Sequence, residues 1–180
     1  RTCFRWWSRN DLEIHGGITM PFWLEIVINV AFSYIASVGF ALTINVPHRA
    51  LNSSGISGAV GWMAYWFCFR LGMGRMVSNL ISAFLIGILG LFFARRKKCP
   101  ATIFNIPALV PLVPGMPAYQ AVRALVAGNY TQGQELILRV AIVTAAIGLG
   151  FLLSTMCIEA FYRIKYRHFK KIMLYMKHKR

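Results

Sequence analysis

Apolar residues run through this chain in five blocks. They are Phe22 to Val46, Gly55 to Phe69, Met76 to Ala94, Ala101 to around Val126, and Leu136 to around Phe161. Polar or basic stretches separate them. A helix of about 20 apolar residues crosses the roughly 30 Å of bilayer hydrocarbon. The pattern therefore predicts an all-α integral membrane protein with about five transmembrane helices. The second block is short, but Ser57 with Gly61 gives it a small-residue face suited to close helix contact in lipid. The pairs Ser78 with Ser82, Ala83 with Gly87, Thr144 with Gly148 and Ala146 with Gly150 repeat that spacing in the third and fifth blocks.

The fourth block is unlike the others. Four of the seven prolines, Pro107, Pro111, Pro114 and Pro117, fall inside it together with Gly115. Each proline removes a backbone N–H and clashes with the preceding turn, so this span is predicted to be a broken helix. A carbonyl freed in hydrocarbon must find a partner or line a wet cavity. The break is either a kinked structural span or part of a transport path. Pro47 is expected to end the first span, with Asn45 bonding freed backbone groups, and His48 and Arg49 are read at the membrane boundary. Glu25 is expected at an interface. Arg123, in the half that resumes after the break, needs a cavity, an acidic partner or the interface.

The domain organisation is a polar N-terminal segment over residues 1–19, a five-span domain over 20–161 and a basic tail over 162–180. Trp6-Trp7 beside arginines in the first segment reads as a headgroup-level anchor or as a plain tail, and no apolar run there makes a signal peptide. The tail holds eight Lys or Arg and no acid, interleaved with Tyr166, Phe169, Ile172, Leu174 and Tyr175. That is the pattern of an amphipathic helix on anionic lipid.

Composition agrees: 57% of residues are hydrophobic and the mean hydropathy is +0.55. The net charge of +15 raises nucleic acid as a partner, but the basic residues sit between and after apolar blocks, where they set orientation. They predict a multi-pass plasma-membrane protein with a cytoplasmic C-terminus. His48-Arg49 and the run Arg95 to Lys98 fall on the same side, and residues 128–135 on the other. Arg70 and Arg75 are the exception, held by lipid phosphate or facing an anionic solute. Cys3, Cys68, Cys99 and Cys157 are too dispersed for a disulfide framework or a metal site. The five acids lie at block ends or in loops. No cofactor, catalytic set or enzyme activity is expected.

Two segments carry a resemblance. Phe40-Ala41-Leu42-Thr43-Ile44-Asn45-Val46-Pro47-His48-Arg49-Ala50-Leu51 is similar to the F-A-x-x-x-N-V-P-x-R-A-L signature of the threonine/serine exporter (ThrE) family. Pro111-Leu112-Val113-Pro114-Gly115-Met116-Pro117-Ala118-Tyr119 resembles that family's P-x-x-P-G-x-x-A-Y segment. The likeness is greatest to the short, YjjB-type half. It implies half of an exporter of threonine and serine, or of dicarboxylates such as succinate, working with a long-half partner that carries the family's H-x-x-x-G element, and assembled as an oligomer. Asn45, Arg49, Pro111, Pro114, Gly115 and Tyr119 match the family pattern and become candidate substrate-binding residues with Arg123. On this reading Pro114-Gly115 is the break, Tyr119 donates a hydroxyl, and Arg49 or Arg123 neutralises a small carboxylate substrate. A passive channel and a non-transporting structural subunit are the alternatives.

Overall fold

Prolines and left-handed residues set the helix boundaries. A computed structural model describes residues 21–178, and among them there is no strand. Helix α1 spans Phe22–Thr43, α2 His48–Arg70, α3 Gly74–Lys97 and α4 Thr102–Leu109, which continues into a 3-10 turn at Val110–Leu112. Helix α5 spans Gly115–Val126 and α6 Tyr130–His178. Pro21 and Pro47 immediately precede α1 and α2. Gly72, Gly74 and Gly128 take φ of 78°, 77° and 82°, which only glycine adopts without strain, and so form the α2–α3 and α5–α6 turns. The backbone of α6 carries on past Tyr162 into the basic tail. The segment 1–19, and the tail side chains read as a lipid-facing pattern, lie outside the described residues.

The bundle is apolar outside and small and polar inside. Trp23, Phe32 and Ile35 of α1 are mostly exposed, whereas Ser33, Ser37 and Ala41 on its opposite face are buried. Helix α2 buries Ala50, Ser53, Ser54, Ser57, Gly58 and Gly61. Helix α3 buries Ser78, Asn79, Ser82, Ala83, Ile86, Gly87 and Gly90. In water this arrangement would leave the large side chains unburied; in lipid they are solvated, and small residues let backbones approach. Helices α1, α3 and the Tyr130–Tyr162 part of α6 are long and apolar enough to cross a membrane. Helix α2 has 23 residues, about 35 Å at 1.5 Å per residue, but its serines and glycines dilute its hydropathy.

Glycine notches set the packing. Tyr34 of α1 fits over Gly55 of α2, and Ile86 of α3 fills the notch at Gly61. Helices α3 and α6 run parallel: Gly150 meets Leu80 and Ala83, Ser154 meets Gly87, and the Arg95 guanidinium lies over the Tyr162 ring. Helix α4 packs chiefly on α2, and α5 on α6.

Two sequence expectations need correction. Thr144 and Gly148 form no packing face: both are exposed, and a Cβ on Gly148 would meet nothing within 4 Å. Ala146 and Gly150, on the other side of α6, are the buried pair. Arg70 is not left facing an anionic solute. It bonds Glu25 at 2.7 Å and lies over the rings of Trp66 and Phe22, which ties the start of α1 to the end of α2.

A Cβ at Gly150 would sit 2.6 Å from the Leu80 carbonyl oxygen and 2.9 Å from Ala83 Cβ, and neither neighbour can swing away. Gly150→Ala is therefore expected to destabilise the fold by about 1–3 kcal/mol, the ordinary range of overpacking. Gly148→Ala should be neutral or slightly stabilising. Thermal unfolding in detergent compares the two.

Candidate functional site

The first motif builds a helix exit. Asn45 takes φ 60°, a left-handed conformation that asparagine tolerates better than other side-chain-bearing residues. Its N–H donates to the Leu42 carbonyl at 3.0 Å, and the Val46 N–H donates to the Ala41 carbonyl at 3.0 Å. This pair is the Schellman closure, and it satisfies the last carbonyls of α1. Val46 and Ala41 are both buried in one cluster with Ala50, Ala94 and Phe104, which supplies the apolar contact that such closures favour. Pro47 then stands just ahead of α2. The helix it borders is thus the one it precedes, since α1 has already ended at Thr43. His48 and Arg49 are the first residues of α2 rather than loop residues, and both are exposed. Lys97 Nζ donates to the Arg49 carbonyl, joining the start of α2 to the end of α3.

The second motif divides a helix. Pro107 cannot donate to the Ile103 carbonyl, and Ser54 Oγ of α2 donates to it instead at 3.2 Å. After the 3-10 turn, Val113 is extended. Pro114, at φ −77° and ψ 60°, makes an inverse γ-turn closed by a 2.8 Å bond from the Gly115 N–H to the Val113 carbonyl. Pro114 leaves the Val110 carbonyl without its helical donor. Counting 1.5 Å per residue for α4 and 2.0 Å for the turn, this segment rises about 18 Å, a little over half the hydrocarbon depth. Pro111 and Pro114 are half-buried at its end.

Around α4 the interior offers hydroxyls and side-chain amides. Ser82 donates to the Gly61 carbonyl, and Trp62 Nε1 donates to Asn29 Oδ1 at 2.9 Å. Ser37 Oγ, against Gly58, and Asn105 Oδ1, against Gly90, are buried without a hydrogen-bond partner. Such a group costs about 1–3 kcal/mol while unsatisfied.

The seven residues singled out from sequence do not converge. Asn45 and Arg49 share the basic end of the bundle. Pro111 and Pro114 lie at the break. Gly115, Tyr119 and Arg123 belong to α5 and are exposed, Tyr119 to 64%. Tyr119 is expected as a hydroxyl donor in the site, and the γ-turn lies just ahead of it. It resets the helix phase, so Tyr119 joins Met116, Val122 and Val126 on an outward stripe. Gly115 has open space around it and no left-handed φ. Asn105 was legible from sequence as a polar group ahead of the break, but Ser37 and Ser54 were missed. Serines inside apolar blocks were the available signal for them.

Outward-facing large apolar side chains, a hydroxyl-lined interior and one interrupted helix define a polytopic helical membrane protein. The profile of the family described as "Threonine/Serine exporter, ThrE" matches residues 29–157, and the chain belongs to that family. It is a transporter family rather than an enzyme class. A Haemophilus influenzae protein described as uncharacterized is 32% identical over 110 residues, 61% of this chain and 37% of that protein. The chain thus matches little more than a third of that relative's length. No solved structure matches.

Two outcomes follow from the backbone chemistry. Asn45→Gly should keep the fold within a few tenths of a kcal/mol, while Asn45→Val should cost about 1–2 kcal/mol or more, because a β-branched residue resists a left-handed φ; unfolding in detergent reads both. Ser54→Ala should cost about 1–3 kcal/mol by orphaning the Ile103 carbonyl. In a Pro107→Ala background the restored N–H takes that carbonyl, so the same substitution should then cost much less. A double-mutant cycle measures the difference.

Proposed function

We propose that this chain is a membrane subunit of a secondary exporter of small carboxylate-bearing metabolites, threonine and serine or dicarboxylates such as succinate, and that it acts with a partner half. Helices α1, α2, α3, the α4–α5 pair and α6 are the five spans, the fourth interrupted, in the plasma membrane with the C-terminus cytoplasmic. The basic end formed by His48, Arg49 and Arg95 to Lys98 supports that orientation. Arg49 draws a carboxylate toward this mouth of the bundle. The basic C-terminal tail rests on anionic lipid, and α5 presents its outward stripe, Tyr119 included, to the partner.

One observation carries the reading. Along α4, ahead of the break, the interior holds Ser37 Oγ and Asn105 Oδ1 buried and unsatisfied. A polar solute crossing the bundle brings the hydrogen bonds these groups lack, and the carbonyl freed by Pro114 adds an acceptor for an ammonium or a coupling cation. The interrupted helix supplies polar backbone where an intact one would present none.

Efflux of radiolabelled threonine and succinate from proteoliposomes, with and without a long-half partner, tests this. Gradient-driven efflux with the partner is the expected result. Ser37→Ala and Asn105→Ala should each lower it at least about tenfold, the effect of one lost hydrogen bond of ~1.4 kcal/mol or more, with the melting temperature maintained. Efflux that ignores the gradient would make the protein a passive channel. Transport unchanged by both substitutions would remove the interior groups from the path.

A further inference from the structure

Two charged layers bracket the bundle. At one end stand Arg95 to Lys98, with Lys97 bonded to the Arg49 carbonyl. At the other stand Arg75 of α3 and the Arg70–Glu25 pair, on either side of the α2–α3 turn. Arg95 follows Arg75 by 20 residues on one helix, about 30 Å at 1.5 Å per residue, which is the thickness of bilayer hydrocarbon. The apolar slab therefore lies between these layers.

The register of α6 against α3 carries it past the outer layer. Gly150 meets Ala83, Ser154 meets Gly87 and Arg95 lies over Tyr162, so Ile142 is level with Arg75. Residues 140–158 hold no charge, whereas Glu135 and Arg139 lie beyond Ile142 on the outer side. Helix α5 starts at the same layer, because Pro114 and Pro117 share a crevice with Gly74 and Met76. It then runs antiparallel to α6, with Leu125 on Gly133. Helix α5 and residues 130–141 thus make a two-helix arm reaching about 18 Å beyond the hydrocarbon, past the roughly 5–7 Å of headgroup on that side.

Lipid tails do not reach this arm, yet its outer surface is apolar. Met116, Tyr119, Val122 and Val126 are exposed on α5, and Ile137 and Leu138 on α6. The Leu125–Gly133 contact sets Arg123 level with Glu135. Both are exposed, and among the described residues neither forms an ion pair.

We propose that the arm pairs with the arm of a second copy of this chain, as a four-helix bundle outside the membrane. The inference rests on the reading that α5 faces a partner, and it names that partner. Two copies in one bilayer are related by an axis along its normal, so equal levels meet. Such an axis sets α5 against α6 of the second copy, with every neighbouring helix antiparallel. Arg123 of each copy then stands level with Glu135 of the other, and the exposed stripes cover each other. A single sign of charge at that level would repel a second copy; one basic and one acidic residue make the surface self-complementary.

The test uses the full chain in liposomes with photoreactive benzoylphenylalanine in place of Tyr119. Illumination should give a dimer whose adducts map to residues 130–141 of the second copy. Arg123→Glu should weaken the dimer about tenfold over a dilution series in lipid, since it sets like charges together at two sites. Adding Glu135→Arg should restore it to within about twofold. Adducts with lipid alone, or a dimer indifferent to both charge changes, would overturn the proposal. So would adducts that move wholly to a co-expressed long half, an outcome that leaves the export reading standing. Dimer adducts together with an absence of efflux would support the pairing and strike the export reading.

Discussion

Every backbone polar group of a chain in lipid needs a partner from the chain itself, and at Pro107 this protein meets that demand across helices. The bond from Ser54 to the Ile103 carbonyl requires α2 to lie against α4. Helix α2 can do so because its facing positions are serine, glycine and alanine, and α1 and α3 then close on it through the notches at Gly55, Gly58 and Gly61. A leucine anywhere on that face would hold the backbones apart and leave the carbonyl bare. The small-residue face of α2 and the proline of α4 are thus two halves of one requirement.

The same hydroxyls that let the helices approach give the interior its chemistry. In lipid there is little hydrophobic gain from helix association, so packing and interhelical hydrogen bonds hold the bundle. Ser82 to Gly61, Trp62 to Asn29 and Tyr34 to Asn52 join neighbouring helices. Most buried serines are spent in this way or on their own helix. Ser37 Oγ and Asn105 Oδ1 are not: Ser37 faces Gly58 of α2, and Asn105, within α4, faces Gly90 of α3. A stability-optimised bundle would carry alanine and leucine there. The two polar groups are better explained by something that passes than by something that stays.

Much of the helical organisation was legible because apolar blocks of membrane length leave few alternatives, and because proline and glycine punctuate them. The Asn-Val-Pro exit was legible as a boundary, though not as a Schellman closure, since that depends on φ at Asn45 and on Val46 reaching Ala41. The interior polar pairs were not legible: Ser54 and Ile103 are 49 residues apart, and nothing in either block names the other. Tyr119 was singled out from the family pattern and Arg123 from its charge within an apolar block, and neither signal fixes a rotation about the helix. An extended residue and a γ-turn erase the phase of α4, so the exposure of everything in α5 had to come from structure. Thr144 and Gly148 failed because small-xxx-small spacing occurs on both faces of α6 and only one face has a neighbour.

The break therefore does more than expose backbone. It lets the two parts of the fourth segment answer to different surroundings. Helix α4 is fixed on its buried side by Phe104, Pro107, Ala108 and Leu112 and by the hydroxyl of Ser54. Helix α5 buries Ala121 and packs along α6, with Leu125 filling the notch at Gly133. Between them stand Val113 and Pro114, held by one γ-turn hydrogen bond. An unbroken helix would force both ends to share one rotation, and either the Ser54 contact or the α6 contact would be lost. Prolines in this block are consequently a condition of the packing as well as of the polar interior. This gives three of the four prolines distinct roles: Pro107 hands a carbonyl to α2, Pro114 makes the turn, and Pro117 restarts the helix as a residue of its first turn, where a missing N–H costs nothing.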